Sequence, residues 1–143
     1  MKIPAKIEYA YKAILELAKA HETKKPVRVN TIADAQEISG KFLLQVMIQL
    51  KNAGLVKSVR GAAGGYLLSS SPKEISLQEV IEAVDTNLFE PAFSTSRVLS
   101  ASEKPLAGLW GKVNADLRGK FSKVCFDQLL LEAQSKESFI YKI

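Results

Sequence analysis

The sequence predicts a mostly α-helical fold with one small β-hairpin and a long C-terminal helix. Apolar residues recur at three- and four-residue spacing through most of the chain, which is the period of a helix with one buried face. Residues 55–69 are the exception, because two short extended runs flank a turn that contains Gly61, Gly64 and Gly65. Two short helices joined by a tight turn stand directly before this hairpin. This order of elements is that of a winged helix-turn-helix.

The first helix is predicted over residues 5–20 and the second over residues 31–37. An apolar stripe along the first indicates a face that packs in the core. Pro26 favours an extended segment before the second helix, because proline disfavours a helical conformation in the residue that precedes it. Asn30 or Thr31 can then cap that helix, since a side-chain oxygen at this position accepts a hydrogen bond from an early N–H group.

The third helix is predicted over residues 41–53, between a turn at Gly40 and a C-terminal cap at Gly54. One face carries four apolar residues at helical spacing and should be buried: Leu43, Val46, Met47 and Leu50. The opposite face carries Lys41, Gln45, Gln49 and Asn52, together with the apolar Leu44 and Ile48. Amide side chains can donate and accept hydrogen bonds at base edges, so this face suits the major groove of DNA. An ordinary solvated face is the alternative, but the two exposed apolar side chains argue against it.

The hairpin is predicted to pair residues 55–59 with residues 66–69. Arg60 stands at the entrance of its turn. From there the guanidinium can reach the DNA backbone or the minor groove when the preceding helix lies in the major groove. A solvated arginine on a glycine-rich surface turn is the simpler interpretation. The position of the hairpin, directly after a helix-turn-helix, favours contact with DNA.

The run AGLVKSVRG at residues 53–61, followed by GGYLL at residues 64–68, is more specific than a generic winged helix. With these motifs the chain resembles the Rrf2 family of bacterial winged-helix transcription regulators, closely over residues 1–90. The resemblance implies a sequence-specific regulator that acts as a homodimer on a roughly palindromic operator. Pattern and resemblance together assign contacts with double-stranded DNA to ten residues: Thr31, Lys41, Phe42, Leu44, Gln45, Gln49, Arg60, Gly64, Gly65 and Tyr66.

The distribution of charge agrees with a DNA-binding N-terminal half. Residues 1–75 contain 12 Lys and Arg against 6 Asp and Glu, whereas residues 76–143 contain 8 against 9. Phosphate binding requires such an excess of positive charge. An enzyme is not expected, because the chain has one His, one Cys, no phosphate-binding loop and no metal-spaced cluster. The absence of a membrane-spanning run or signal-peptide core, and the single cysteine, favour a cytoplasmic protein.

Four parts are expected: a winged helix-turn-helix domain over residues 1–84, a connecting and sensing segment over 85–104, a long dimerisation helix over 105–134 and a tail over 135–143 that is loosely ordered or a short extended piece. The first part ends in a helix over residues 77–84, with a capping box formed by Ser76 and Glu79. The long helix carries an apolar stripe of Leu106, Trp110, Val113, Leu117, Phe121 and Val124. The stripe can pack on the chain's own core or on a second subunit. Its length and the habit of the family favour a subunit interface.

No cofactor is expected. Many Rrf2 relatives hold an iron–sulfur cluster with three cysteines in the equivalent of residues 88–104, but this stretch contains none here. Cys125 is the only cysteine. A half-buried packing role late in the long helix is expected for it, with a redox role as the alternative. The signal is then a small molecule, a partner protein or thiol oxidation. A protein-interaction module that regulates, or is regulated by, a partner enzyme is the second functional hypothesis.

Overall fold

A computed structural model describes residues 2–90 and 98–142, except for the side chains of residues 136–142. These residues form the helices α1 (Ala5–Lys19), α2 (Val29–Gln36), α3 (Gly40–Asn52), α4 (Leu77–Val84), α5 (Lys104–Ser122) and α6 (Phe126–Lys142), with the strands β1 (Val56–Val59) and β2 (Gly65–Leu68). Short 3₁₀ turns lie at His21–Thr23 and Pro72–Glu74. The predicted fold, mostly α-helical with one hairpin, is confirmed.

Helix α1 lies at the centre of the core. Seven of its residues are buried, and it packs against α2, α3, α4, α6 and β2. The buried face of α3 is the predicted one, with Leu43, Val46, Met47 and Leu50 all buried. Each such side chain contributes about 1.5–3 kcal/mol on burial. The core therefore determines which face of α3 points to solvent.

The turn between α2 and α3 differs from the prediction. Helix α2 begins at Val29, two residues earlier than expected, and neither Asn30 nor Thr31 caps it. The bend is made by Glu37, which takes a left-handed conformation with φ 55°. Gly40 is the first residue of α3 and has no positive φ. The assignment of the bend to Gly40 was wrong. Glu37 caps the end of α2, and its N–H donates to carbonyl oxygens in the last turn of that helix.

The hairpin is antiparallel, with Val56 opposite Leu68 and Val59 opposite Gly65. Its strands begin within one residue of the predicted positions. A third segment joins them, because the N–H of Val27 donates to the carbonyl oxygen of Tyr66 (2.9 Å) and the N–H of Tyr66 donates back (2.8 Å). The segment before α2 therefore belongs to the same small sheet as the hairpin.

The predicted long helix over residues 105–134 is two helices, and the prediction was wrong at residues 123–125. There Cys125 pairs with Ser76 in an antiparallel bridge. The N–H of Leu77 donates to the carbonyl oxygen of Val124 (2.8 Å), and the N–H of Phe126 donates to Ile75 (3.1 Å). Backbone groups that are paired in this way do not form the hydrogen bonds of a continuous helix. Cys125 is half-buried, as expected, but it lies in the break and not in a helix.

Phe126 explains why the chain turns at this point. Its side chain is completely buried and its ring lies 5.8 Å from that of Tyr11 on α1. Helix α6 then runs along α1 and continues to Lys142, so the prediction of a loosely ordered tail from residue 135 was wrong. The C-terminal helix completes the core of the winged helix.

The segment between α4 and α5 is described in part. The predicted cap of α4 is confirmed, because the Ser76 hydroxyl accepts a hydrogen bond from the N–H of Glu79 (3.1 Å). Turns follow over residues 86–90, and residues 98–103 precede α5 without regular structure. Residues 91–97 of the predicted connecting and sensing segment lie outside the described residues. Among the helices that are described, none has both the length and the apolar composition of a membrane span.

Candidate nucleic-acid interface

The outward face of α3 carries five of the predicted DNA-contacting residues. Lys41, Phe42, Leu44, Gln45 and Gln49 are all exposed. Leu44 and Ile48 expose 45% and 47% of their surface, and they lie one turn apart, so they form a small exposed apolar patch. The face thus combines a cation, amide groups and apolar groups. These side chains suit the hydrogen-bond acceptors, the donors and the thymine methyl groups that base edges present in the major groove.

Phe42 holds the start of α3 to the first helix. Its ring packs edge-on against that of Tyr9, with the centroids 4.9 Å apart. The preceding Ser39 caps the helix by accepting a hydrogen bond from the N–H of Phe42 (3.4 Å). The N-terminal end of α3 is therefore fixed from two sides. The packing of Phe42 on Tyr9 was not predicted, because the two residues belong to separate helices.

The hairpin presents Arg60 at its exposed end. Three residues of β1 before it, Lys57, Ser58 and Val59, are also exposed, and only Val56 of this strand is buried. Lys57 is a second cation on the hairpin that sequence reasoning missed. Its place directly after the apolar Val56 was the available signal, since neighbouring residues of a strand point to opposite faces.

The backbone leaves no room for a side chain at Gly64 and Gly65 of the turn. Gly64 is buried, and a Cβ atom there would overlap the carbonyl oxygen of Val59. Gly65 has φ 144°, and a Cβ atom would lie 2.5 Å from the carbonyl oxygen of Val27. Tyr66 is half-buried and pairs with Val27. The burial of Gly64 argues against direct contact with DNA, and contacts by Gly65 and Tyr66 stay predictions.

The start of α2 adds two exposed polar side chains. Thr31 lies in its first turn, where free N–H groups and the helix dipole favour an anion such as phosphate. Arg28 directly precedes the helix, and its guanidinium Nη2 donates to the carbonyl oxygen of Ala62 in the turn of the hairpin. Arg28 was missed, because its partner is 34 residues away in the sequence.

The predicted interface stripe of the C-terminal half divides into two parts. Leu106, Trp110 and Val113 on the first part of α5 are exposed, and Leu109, which was not predicted, exposes 59% of its surface. By contrast Leu117, Phe121 and Val124 are half-buried. The ring of Phe121 lies 6.1 Å from that of Phe89, and both side chains pack on the chain's own core.

A groove of about 670 Å³ lies between α4 and α5. Its polar lining includes Gln78, Asn114 and Arg118. The Arg118 guanidinium binds the Glu82 carboxylate (Nε to Oε1, 2.6 Å), and this hydrogen bond holds the pKa of Glu82 below its ordinary value. Gln78 donates a further hydrogen bond to Glu82 (2.8 Å). These contacts join α4 to α5.

Comparison with known proteins identifies the family. The family model of Rrf2, described as an iron-dependent transcriptional regulator, matches residues 3–132. The chain belongs to the Rrf2 family. It is similar to the HTH-type transcriptional regulator CymR of Bacillus subtilis, with 37% identity over 113 residues, or 79% of this chain and 78% of that protein. It is also 33% identical to the regulator IscR of Photorhabdus laumondii over 131 residues, 91% of this chain and 79% of IscR.

The fold agrees with this assignment. The structure of CymR, called the global cysteine regulator of B. subtilis, matches with a TM-score of 0.74 and 30% identity, covering 92% of this chain and 98% of CymR. This Rrf2 protein is therefore a DNA-binding transcription regulator and not an enzyme. The sequence-based predictions of the family, the fold and this general function are confirmed.

The iron in the family description raises the question of whether this chain can hold a cluster. Iron–sulfur clusters are held mainly by cysteine thiolates, and the sequence has only Cys125. Over residues 2–90 and 98–135, whose side chains are described, no three His, Cys, Asp or Glu side chains come together as a metal site. The residues of this chain therefore do not fit a cysteine-held cluster.

Proposed function

We propose that this Rrf2 protein acts as a homodimer on a roughly palindromic operator, with α3 in the major groove and Arg60 in the minor groove. The observation that carries the proposal is the two-sided character of α3. Leu43, Val46, Met47 and Leu50 hold one face in the core, and this leaves the amide and cationic face outward beside an exposed hairpin arginine.

The exposed side chains suit different parts of the DNA. Gln45 and Gln49 can form paired hydrogen bonds with base edges, and Leu44 can contact thymine methyl groups. Lys41 can bind phosphate or guanine, and Thr31 can bind phosphate at the start of α2. Phosphate contacts position the protein, whereas the contacts of α3 with bases select the sequence.

The dimer is proposed to form through the exposed apolar part of α5. Leu106, Leu109, Trp110 and Val113 lie there without cover in the single chain, and large apolar patches of this kind mark interaction surfaces. Two copies related by two-fold symmetry present two copies of α3, and a palindromic site has the same symmetry.

We also propose that the regulator works in the cytoplasm without an iron–sulfur cluster. The single cysteine supports this proposal, because a cluster held by one chain requires several thiolates. The signal is then a small molecule or a partner protein that residues 85–104 sense, or it is oxidation of Cys125 itself.

The experiment that tests the proposal is selection of bound duplexes from a random DNA library, followed by titration of the selected duplex. We expect two inverted half-sites, about 5- to 150-fold weaker binding for Arg60→Ala, since one well-placed arginine contact is worth about 1–3 kcal/mol, and unchanged binding for Lys112→Ala. Lys112 is an exposed lysine on α5, so its removal controls for the loss of one charge. Direct repeats among the selected sequences, or equal losses for both variants, would contradict the proposal.

A protein-interaction module is the alternative, and the exposed Leu44 and Ile48 are the observation that favours it. On this hypothesis α3 packs on a partner protein and not in a DNA groove. A library that yields no enriched duplex at any salt concentration would support the alternative.

A further inference from the structure

We infer that Arg28 is a positioning residue that holds the turn of the hairpin against the start of α2, so that Arg60 meets DNA at a fixed place relative to α3. The inference deepens the proposed function and rests on it. It assigns to Arg28 an effect on DNA affinity that acts through another residue.

The first observation is the hydrogen bond between Arg28 and the turn. The guanidinium Nη2 of Arg28 donates to the carbonyl oxygen of Ala62. Ala62 is two residues after Arg60, in the same exposed turn. A hydrogen bond from a charged donor is stronger than a neutral one, so this contact restrains the part of the hairpin that carries Arg60.

The second observation is that the neighbouring residue holds the base of the same hairpin. Val27 exchanges two backbone hydrogen bonds with Tyr66, at 2.8 and 2.9 Å. Gly65 comes so close that a Cβ atom there would meet the carbonyl oxygen of Val27 and the N–H nitrogen of Arg28, at 2.5 and 2.9 Å. The two residues before α2 thus contact the hairpin at its base and at its turn.

These two contacts matter because the hairpin has little support of its own. A two-stranded hairpin is marginally stable in isolation. The core buries Val56 and Leu68 at its base, whereas residues 60–63 of the turn are exposed. A turn that moves freely must be ordered when DNA binds, and this ordering weakens binding. Tying the turn to α2, which leads directly into α3, pre-orders Arg60 relative to the face of α3.

Direct binding of Arg28 to phosphate is the competing explanation, because Arg28 is exposed and cationic. The two explanations differ in how Arg28 depends on Arg60. A positioning residue has little effect once Arg60 is absent, whereas a phosphate contact contributes equally with or without Arg60. A double-mutant cycle measures this dependence.

The experiment uses the full-length protein and the duplex that it selects from a random library. Arg28→Ala, Arg60→Ala, the double variant and the control Lys112→Ala are titrated at several salt concentrations. We expect Arg28→Ala to weaken binding about tenfold when Arg60 is present. In the Arg60→Ala protein the same change should weaken binding by less than about twofold and leave the salt dependence unchanged. Equal melting temperatures would show that Arg28→Ala leaves the fold intact.

Three outcomes would overturn the inference. An equal loss in both backgrounds, with the salt slope reduced by about 0.9, would show direct binding to phosphate. An Arg28→Ala protein with full affinity beside a weakened Arg60→Ala protein would refute the role of Arg28 alone. Full affinity of Arg60→Ala would refute the proposed role of Arg60 and, with it, the action of Arg28 through that residue.

Discussion

The close approach of the hairpin to the segment before α2 can be tested with Gly65→Ala. Gly65 has φ 144°, a conformation that costs a residue with a side chain about 1–3 kcal/mol. The new Cβ atom would also lie 2.5 Å from the carbonyl oxygen and 2.6 Å from the carbonyl carbon of Val27. Both are backbone atoms, so no side-chain rotation can relieve the overlap.

The expected loss of stability is the sum of two terms. Relief of the overlap requires β2 to move away from Val27, which breaks one or both hydrogen bonds with Tyr66, each worth about 1 kcal/mol. Together with the backbone strain this gives a loss of about 2–5 kcal/mol. In a chain of this size that loss should lower the melting temperature by about 5–20 °C.

Two other glycines separate strain from overlap. Gly61 has φ 108° but nothing within 4 Å of a Cβ atom, so Gly61→Ala should show the strain alone, about 1–3 kcal/mol. Gly108 is helical and equally open, so Gly108→Ala should stabilise the protein by about 0.5–1 kcal/mol. Urea denaturation followed by circular dichroism, at one fixed protein concentration, measures all three free energies of unfolding.

The order of the three free energies of unfolding tests the close approach of Gly65 to Val27. Gly65→Ala should be the least stable, followed by Gly61→Ala, with Gly108→Ala above the parent. A Gly65→Ala protein no less stable than Gly61→Ala would refute the close approach to Val27. The contact of the hairpin with the start of α2 would then have to be abandoned.

Three further predictions concern the dimer, the cofactor and the ion pair. Val113→Asp should give monomers in sedimentation, because a charge at an interface costs several kcal/mol, while Lys112→Asp should stay dimeric; a dimeric Val113→Asp protein would exclude this face. Protein purified without oxygen should be colourless and free of stoichiometric iron and sulfide, whereas a brown protein would show that one cysteine per chain suffices. Arg118→Ala should raise the pKa of Glu82, because the hydrogen bond that lowers it is lost. Because its pKa is lowered, Glu82 stabilises the folded protein above the ordinary value of 4.5, and this stabilisation is lost as the pH falls. The variant should therefore lose less stability in acid than the parent. An unchanged pKa of Glu82 in an NMR titration would contradict this prediction.

The helix-turn-helix and the hairpin could be predicted because their signals are local. The spacing of Leu43, Val46, Met47 and Leu50 places them on one face of α3, whatever that face packs against. The glycines of the turn predict a hairpin within one residue of the observed strands. The start of α2 and the bend at Glu37 were missed, because a non-glycine residue in a left-handed conformation leaves no mark in the sequence.

The C-terminal half shows where local patterns fail. The apolar stripe continues at helical spacing past residue 122, so sequence alone indicates one long helix. The break depends on Val124 and Phe126 binding the backbone at Leu77 and Ile75, about fifty residues earlier. A periodic pattern predicts which apolar residues share one face of a helix. It does not say whether that face packs on a second subunit or on the chain's own core.

The sequence by itself determined the family, the order of the elements up to α4, the outward face of α3 and the lack of cysteines for a cluster. Each of these follows from residue type and spacing along the chain. Only the tertiary structure decided the contact of Phe42 with Tyr9, the hydrogen bond from Arg28 to Ala62 and the division of the α5 stripe. These features join residues far apart in sequence, and such pairings arise from packing of the whole chain, which periodicity does not encode.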